Sequence, residues 1–459
     1  MNAKGLLPQY PANPLQNSTI EIMQEKKKRE AGMEYGFSIK CISPRVGTKM
    51  AGYVRQSPSL GIVDDLYAQA LVLTDREENR FLIVCADIIG FDKDDTAEIR
   101  AVLKERFGIP ENAVILNASH THFGPATIRN FLPKWESGEL GIYNEEYCNL
   151  VKNKIYEAIE EAFSRLNKCV IEVKTIHSDF GINRRTVESG KAISRPNPSG
   201  SIDDSLTIAV LKNLAGTPET ALINYAAHPT NMLRDYISAD YPGILRRQLQ
   251  SEFAQSLNVM FLQGAAGDIS VRKPEKYESG TDVIFQTVSK LEKEIAGIIR
   301  GPMNSITCGN IKSVSENVTL PLDQERDFSN SGLEGNWLKK AWQENMPELK
   351  RNGALKESIE LECNFWKFDD KFCIVTLEGE VCHEIALMAR KIFKSENMCF
   401  LGYTNGSPCY IPSEKVIEEG GYEGEYNMVI YSHQSPFKKG IEKKLAECFC
   451  TIREKIYQA

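Results

Sequence analysis

Histidine and carboxylate residues fall just past three strand-like apolar runs, where a metal site finds its ligands. The run 113–117 leads into Ser119-His120-Thr121-His122, the run 221–225 into His228-Pro229, and the run 372–376 into Glu378-Gly379-Glu380. Only six histidines occur in the chain, and three of them occupy these turns. Imidazole nitrogen and carboxylate oxygen are donors that suit zinc, and also iron or manganese. Strand carboxyl ends are where ligand crevices open in α/β sheets. The pattern predicts a metallohydrolase.

His120 and His122 are two residues apart. On an extended segment both rings face one side; on a turn they diverge, so that one binds metal while the other moves a proton. Alone, His-x-His reads as two structural histidines. With His228 and Glu380 in equivalent turns, the metal reading prevails. His177 at a polar strand end and His433 in a late loop read as non-functional, and His383 as a helix-surface residue. The small-residue loop 264–270 is either a tight turn or a set of amides facing an oxyanion. Arg184, beside Arg185, either pins a substrate oxygen or is a solvated loop cation.

Elements must bring these turns together. The apolar run 80–85, a helix over 96–107 closed by Gly108 and Pro110, and the strand at 113 read as a parallel strand-helix-strand unit. A second unit follows His228: a helix start at 238–242, an apolar face at Ile244, Leu245, Leu249 and Phe253, then a strand over 258–262. The third runs from 372 through Glu380 and a helix to a strand over 398–402. Apolar runs at 169–173, 206–211 and 311–320 add antiparallel strands. The fold class is therefore α/β, with mixed β-sheets flanked by helices. Residues 1–36 form a polar N-terminal extension that is disordered or wraps a neighbouring subunit of a homo-oligomer. A single large domain follows over 37–459, with a helical insertion or lid over 327–356.

Composition is ordinary for a globular chain, 42% hydrophobic and 25% charged, with a net charge of −7. The signs are interspersed, which argues against a nucleic-acid partner. No apolar stretch has signal-peptide or membrane-spanning length, so we expect no transmembrane segment and a cytoplasmic location. The twelve cysteines show no Cys-x-x-Cys spacing and read as buried reduced thiols.

Ser119-His-Thr-His122 with Gly124-Pro125, Ile182-Asn-Arg184, His228-Pro229, Gly267-Asp268-Ile-Ser270, Gly379-Glu380, and Tyr410 with Tyr422 follow one another in an order that resembles the catalytic domain of the neutral (alkaline, non-lysosomal) ceramidases. Ile42-Ser-Pro and Met50-Ala-Gly-Tyr53 add to the resemblance, which runs from about Ile42 to Ser432. It implies a single catalytic domain of that type and a zinc-dependent amidase. His120, His228, Glu380 and Tyr410 match the family's zinc ligands and His122 a proton-transfer residue. Arg184 and Tyr422 match groups that polarise the carbonyl, and Ser270 a serine given a nucleophile's role in some accounts. No Ser–His–carboxylate set is visible around Ser270, which favours a metal-activated water as nucleophile.

The chain departs from the family at Phe123, where a small residue is usual, and at Val63 and Cys409, where histidine is common. Set against that family, an end at Ala459 leads us to expect a short form without the immunoglobulin-like C-terminal domain. The expected substrate is a small-molecule or lipid-like N-acyl amide, ceramide or another. Alternatives are a metal-dependent esterase or lactonase on the same fold, or a non-catalytic binding protein that has kept the fold.

Overall fold

The computed structural model describes residues 32–458 except 132–140, 274–280, 308, 327 and 329–336. All three expected strand-helix-strand units are present and parallel. Arg80–Ala86 pairs with Val114–Ala118 across the helix Lys93–Phe107. Pro218–Tyr225 pairs with Asn258–Gln263 across Asp240–Glu252. Phe372–Leu377 pairs with Asn397–Leu401 across His383–Phe393. Burial on both faces explains the continuous apolar runs: Val114–Ala118 and Asn397–Leu401 are buried at every position. Asp92 caps the first helix by accepting from the Asp94 amide, and Gly108 ends it in the left-handed conformation at φ 66°.

The first two units are the opposite edges of one nine-stranded mixed sheet. Antiparallel strands fill its middle, among them the expected Asn167–His177 and Ser205–Lys212. The third unit belongs to a four-stranded sheet whose opposite edge strand is Lys312–Pro321. The large sheet curls until its edges meet, and one fully buried amide spans the seam. Asn117 Oδ1 accepts from the Gln263 amide at 2.8 Å, and Asn117 Nδ2 donates to the Gly402 carbonyl at 2.8 Å. Asn224 repeats the device, donating to Leu262 O at 3.0 Å and Phe400 O at 3.1 Å. The carboxyl ends of strands from both sheets are thereby pinned together.

One boundary differs from expectation. The first strand begins at Met33, inside the proposed extension, because Met33 and Tyr35 bury their side chains in the core. Within 327–356 the described residues hold the helix Trp337–Arg351, and its Leu338 and Ala341 bury against the core of the four-stranded sheet. No helix among the described residues is long and apolar enough to cross a membrane.

Candidate metal centre

Each turn aims its side chain through a specific backbone device. Past Val114–Ala118 the chain bends sharply at His120, whose φ of 65° is unusual for a residue with a Cβ. Its amide donates to Ile88 O at 3.0 Å. The His228 amide donates to Ile269 O at 2.9 Å, fixing the second turn against the loop 264–270. Gly379, at φ 92°, makes the third turn; a Cβ there would stand 2.6 Å from the Cys409 carbonyl oxygen, so only glycine fits. Glu380 follows in the two-residue strand Glu380–Val381, paired with Tyr410–Ile411, and Tyr410 arrives beside it.

Three ring nitrogens then face one point. His120 Nε2 and His228 Nε2 are 3.1 Å apart, His122 Nε2 is 3.2 Å from the first and 3.1 Å from the second. Every Nδ1 is committed to a carbonyl oxygen: His120 to Ile89 at 2.6 Å, His122 to Gly52 at 2.9 Å, His228 to Ala266 at 3.1 Å. A carbonyl only accepts, so each Nδ1 carries the proton, and a ring in its neutral form then offers an Nε2 lone pair. Three lone pairs converge with no hydrogen between them, which is the arrangement a cation requires. Glu380 Oε2 adds a negative oxygen 3.1 Å from His120 Nε2 and 3.8 Å from His228 Nε2. The separations suit nitrogen and oxygen donors about 2 Å from one tetrahedral ion.

Electrostatics agree. Burial, then the neighbouring His120, push His122 well below its ordinary pKa; burial, then Arg184, do the same to His228. Burial works against ionising Glu380, but positive charge at the His120 position, with hydrogen bonds from Tyr431 and Tyr410, holds its carboxyl below the usual range. Burial and the Glu380 charge push the Tyr410 hydroxyl far up, and burial likewise raises Tyr422, so both stay protonated donors.

The other predicted residues ring this point. Arg184 lies on the strand Gly181–Glu188, not in a loop. Its Nη2 donates to the Tyr410 hydroxyl at 3.1 Å and to Gly267 O at 2.6 Å, and its Nε to Glu423 at 2.9 Å. Arg185 is buried and also paired with Glu423, at 2.7 Å. The Tyr410 and Tyr422 ring centroids are 5.5 Å apart. Ser270 is on the short strand Ile269–Val271, opposite Ile182 and bridged to His228 through the backbone. The loop 264–270 serves mainly as a turn: its Gly264, Ala266, Gly267 and Ile269 amides all donate to carbonyls.

Two tyrosines that the sequence did not single out contact Glu380 and His120. Tyr431 donates a short hydrogen bond to Glu380 Oε1. Tyr403 lies over the His120 ring, centroids 4.3 Å apart, and its hydroxyl is 3.5 Å from Glu380 Oε2. A polar tip on an otherwise apolar buried ring was the only available signal, and many tyrosines carry it. His383 is not on the surface: it is 2% exposed and bonded to Asp268. His433 is buried, donating to Pro408 O at 3.0 Å, while His177 is solvated beside Asp204 as expected. All described cysteines are free thiols.

Comparison with known proteins agrees with this geometry. The fold matches the crystal structure of neutral ceramidase from Pseudomonas aeruginosa, with a TM-score of 0.68 and 18% identity over 93% of this chain and 75% of that one. A second structure, a ceramidase complexed with C2, matches with a TM-score of 0.68 at 16% identity over 93% of this chain and 76% of that one. Neutral ceramidase B of Dictyostelium discoideum is 26% identical over 188 residues, which span 38% of this chain and 25% of that protein. The model for the N-terminal part of the neutral/alkaline non-lysosomal ceramidases matches residues 36–317, more than half of the chain. With the fold, the site and this match in agreement, the chain belongs to the neutral/alkaline non-lysosomal ceramidase family.

Proposed function

We propose that this chain is a zinc-dependent hydrolase that cleaves the amide bond of a small-molecule or lipid-like N-acyl amine, ceramide or a relative of it. The observation that carries the reading is the convergence of three histidine Nε2 atoms beside the Glu380 carboxylate. His120, His228 and Glu380 hold the ion from buried positions, with Tyr410 beside them. A bound zinc supplies Lewis-acid polarisation of a carbonyl and lowers the pKa of a water toward neutrality.

The chain's own residues do the rest. His122 is the least buried ring of the three. Its depressed pKa leaves Nε2 free to take a proton from the attacking water and pass it to the departing amine. Arg184 is held in place by Glu423 and Gly267, so its charge is pre-oriented for the oxygen that becomes negative as the carbonyl turns tetrahedral. The protonated Tyr410 and Tyr422 hydroxyls are the neutral donors for the same oxygen. No described hydrogen bond joins Ser270 to a histidine, so water remains the better nucleophile.

The test combines elemental analysis with turnover of matched amides and esters that share an acyl chain, ceramide among the amides. We expect one zinc per chain and amide cleavage, both lost in His228→Ala. Full turnover by that variant would refute the metal mechanism, and ester cleavage without amide cleavage would reassign the protein as an esterase.

A further inference from the structure

Away from the three converging nitrogens, Asp268, His383 and Ser201 form a line. The His383 Nδ1–H donates to Asp268 Oδ2 at 2.6 Å, and the His383 backbone amide donates to Asp268 Oδ1 at 2.9 Å. Both carboxylate oxygens are therefore spent on fixing one ring, and both residues are buried, at 0% and 2% exposure. With the proton on Nδ1, His383 Nε2 faces the Ser201 hydroxyl at 2.9 Å. Ser201 is exposed, in the loop between the strands Lys191–Asn197 and Ser205–Lys212. Asn183 Nδ2 anchors that loop by donating to the Ser201 carbonyl at 2.9 Å.

We propose that Asp268, His383 and Ser201 are a second, metal-independent nucleophilic site that takes short-chain carboxylic esters. The order of roles is that of a serine hydrolase: a buried carboxylate sets the tautomer, the imidazole is the base, and the hydroxyl is the nucleophile. A purely structural histidine would be satisfied by any acceptor or water. Here its second nitrogen meets a hydroxyl that faces solvent, which puts the activated oxygen where a substrate can reach it. Ser201 is exposed with both of its partners buried beneath it, hence small esters rather than long-chain acyl groups.

The chemistry balances without a cofactor. Ser201 Oγ bonds to the ester carbonyl carbon as its proton passes to His383 Nε2. The carbon–alkoxide bond breaks and the leaving alkoxide takes that proton. Water then attacks the acyl-serine by the same route, releasing the acid and restoring the hydroxyl.

An alkyl fluorophosphonate tests this in mildly alkaline buffer on the folded full-length protein, with and without a metal chelator. Serine attack on phosphorus expels fluoride and leaves a stable adduct that peptide mass mapping locates. We expect one adduct at Ser201, unaffected by the chelator or by His228→Ala, absent in Ser201→Ala, and formed roughly 100-fold more slowly in His383→Asn. Chelator-resistant hydrolysis of short-chain esters should fall in parallel in Ser201→Ala, a surface change that spares the fold. Absence of an adduct at Ser201 overturns the proposal. So does an equal labelling rate in urea-unfolded chain, a control that stands even if His383→Asn fails to fold.

Discussion

The hydroxyl of Tyr431 shows how one residue governs the metal reading. It holds Glu380 Oε1, which leaves Oε2 as the oxygen turned toward His120 and His228. Tyr431 is itself 1% exposed, so removing its hydroxyl would free Oε1 inside a dry pocket rather than hand it to water. Partners of this kind orient metal ligands, and their loss costs about 10–100-fold in affinity. Tyr431→Phe should therefore keep the fold and lose zinc to a competing chelator at 10–100-fold lower chelator concentration; an unchanged competition curve would mean that Glu380 needs no such support. Nothing in the chain marks Tyr431 among its seventeen tyrosines. Glu380 and the histidines were legible because type and strand-end position coincided, whereas a positioning tyrosine is defined only by the tertiary neighbour that it meets.

At the scale of elements, periodicity exposed the three parallel units because each strand is covered on both faces and each crossover helix presents an apolar stripe. Periodicity is local, so it could not show that two units are opposite edges of one curled sheet while the third belongs to another. That arrangement depends on side chains that read as ordinary strand ends. Asn117 is the plainest case: it bonds Gln263 N, Gln263 O, Gly402 O and Thr404 Oγ1, and it lies three residues before His120. Asn117→Ala would leave several buried backbone groups unpaired. The expected loss is about 3 kcal/mol of unfolding free energy in urea, together with weaker zinc binding as the first turn drifts from the other two. A variant as stable as the wild type would show that the seam closes by apolar packing alone.

Across the whole molecule, acid should loosen the same region from the other side. His433 is buried and joins Pro408, two residues before Tyr410, to the chain just past Tyr431; its Nε2 donates to Pro408 O and its amide to Met428 O at 2.8 Å. Burial pushes its pKa down to about 4, against an ordinary value of about 6.5 in the unfolded chain. The folded state thus refuses a proton that the unfolded state accepts. The stability that the neutral ring allows is fully present above about pH 6.5 and is lost as pH falls toward about 4. A depression of this size corresponds to roughly 3 kcal/mol. Glutamine can still donate to Pro408 but cannot be protonated in this range. His433→Gln should therefore track the wild type with a constant offset above neutrality, then fall less steeply on acidification, the gap shifting by roughly 3 kcal/mol by about pH 4. Urea unfolding across that pH series measures it, and parallel curves for the two proteins would show that His433 accepts its proton without unfolding. Since the ring clamps the loop that delivers Tyr410, zinc retention in the wild type should decline over the same window beyond what ligand protonation alone produces, and His433→Gln should remove that excess.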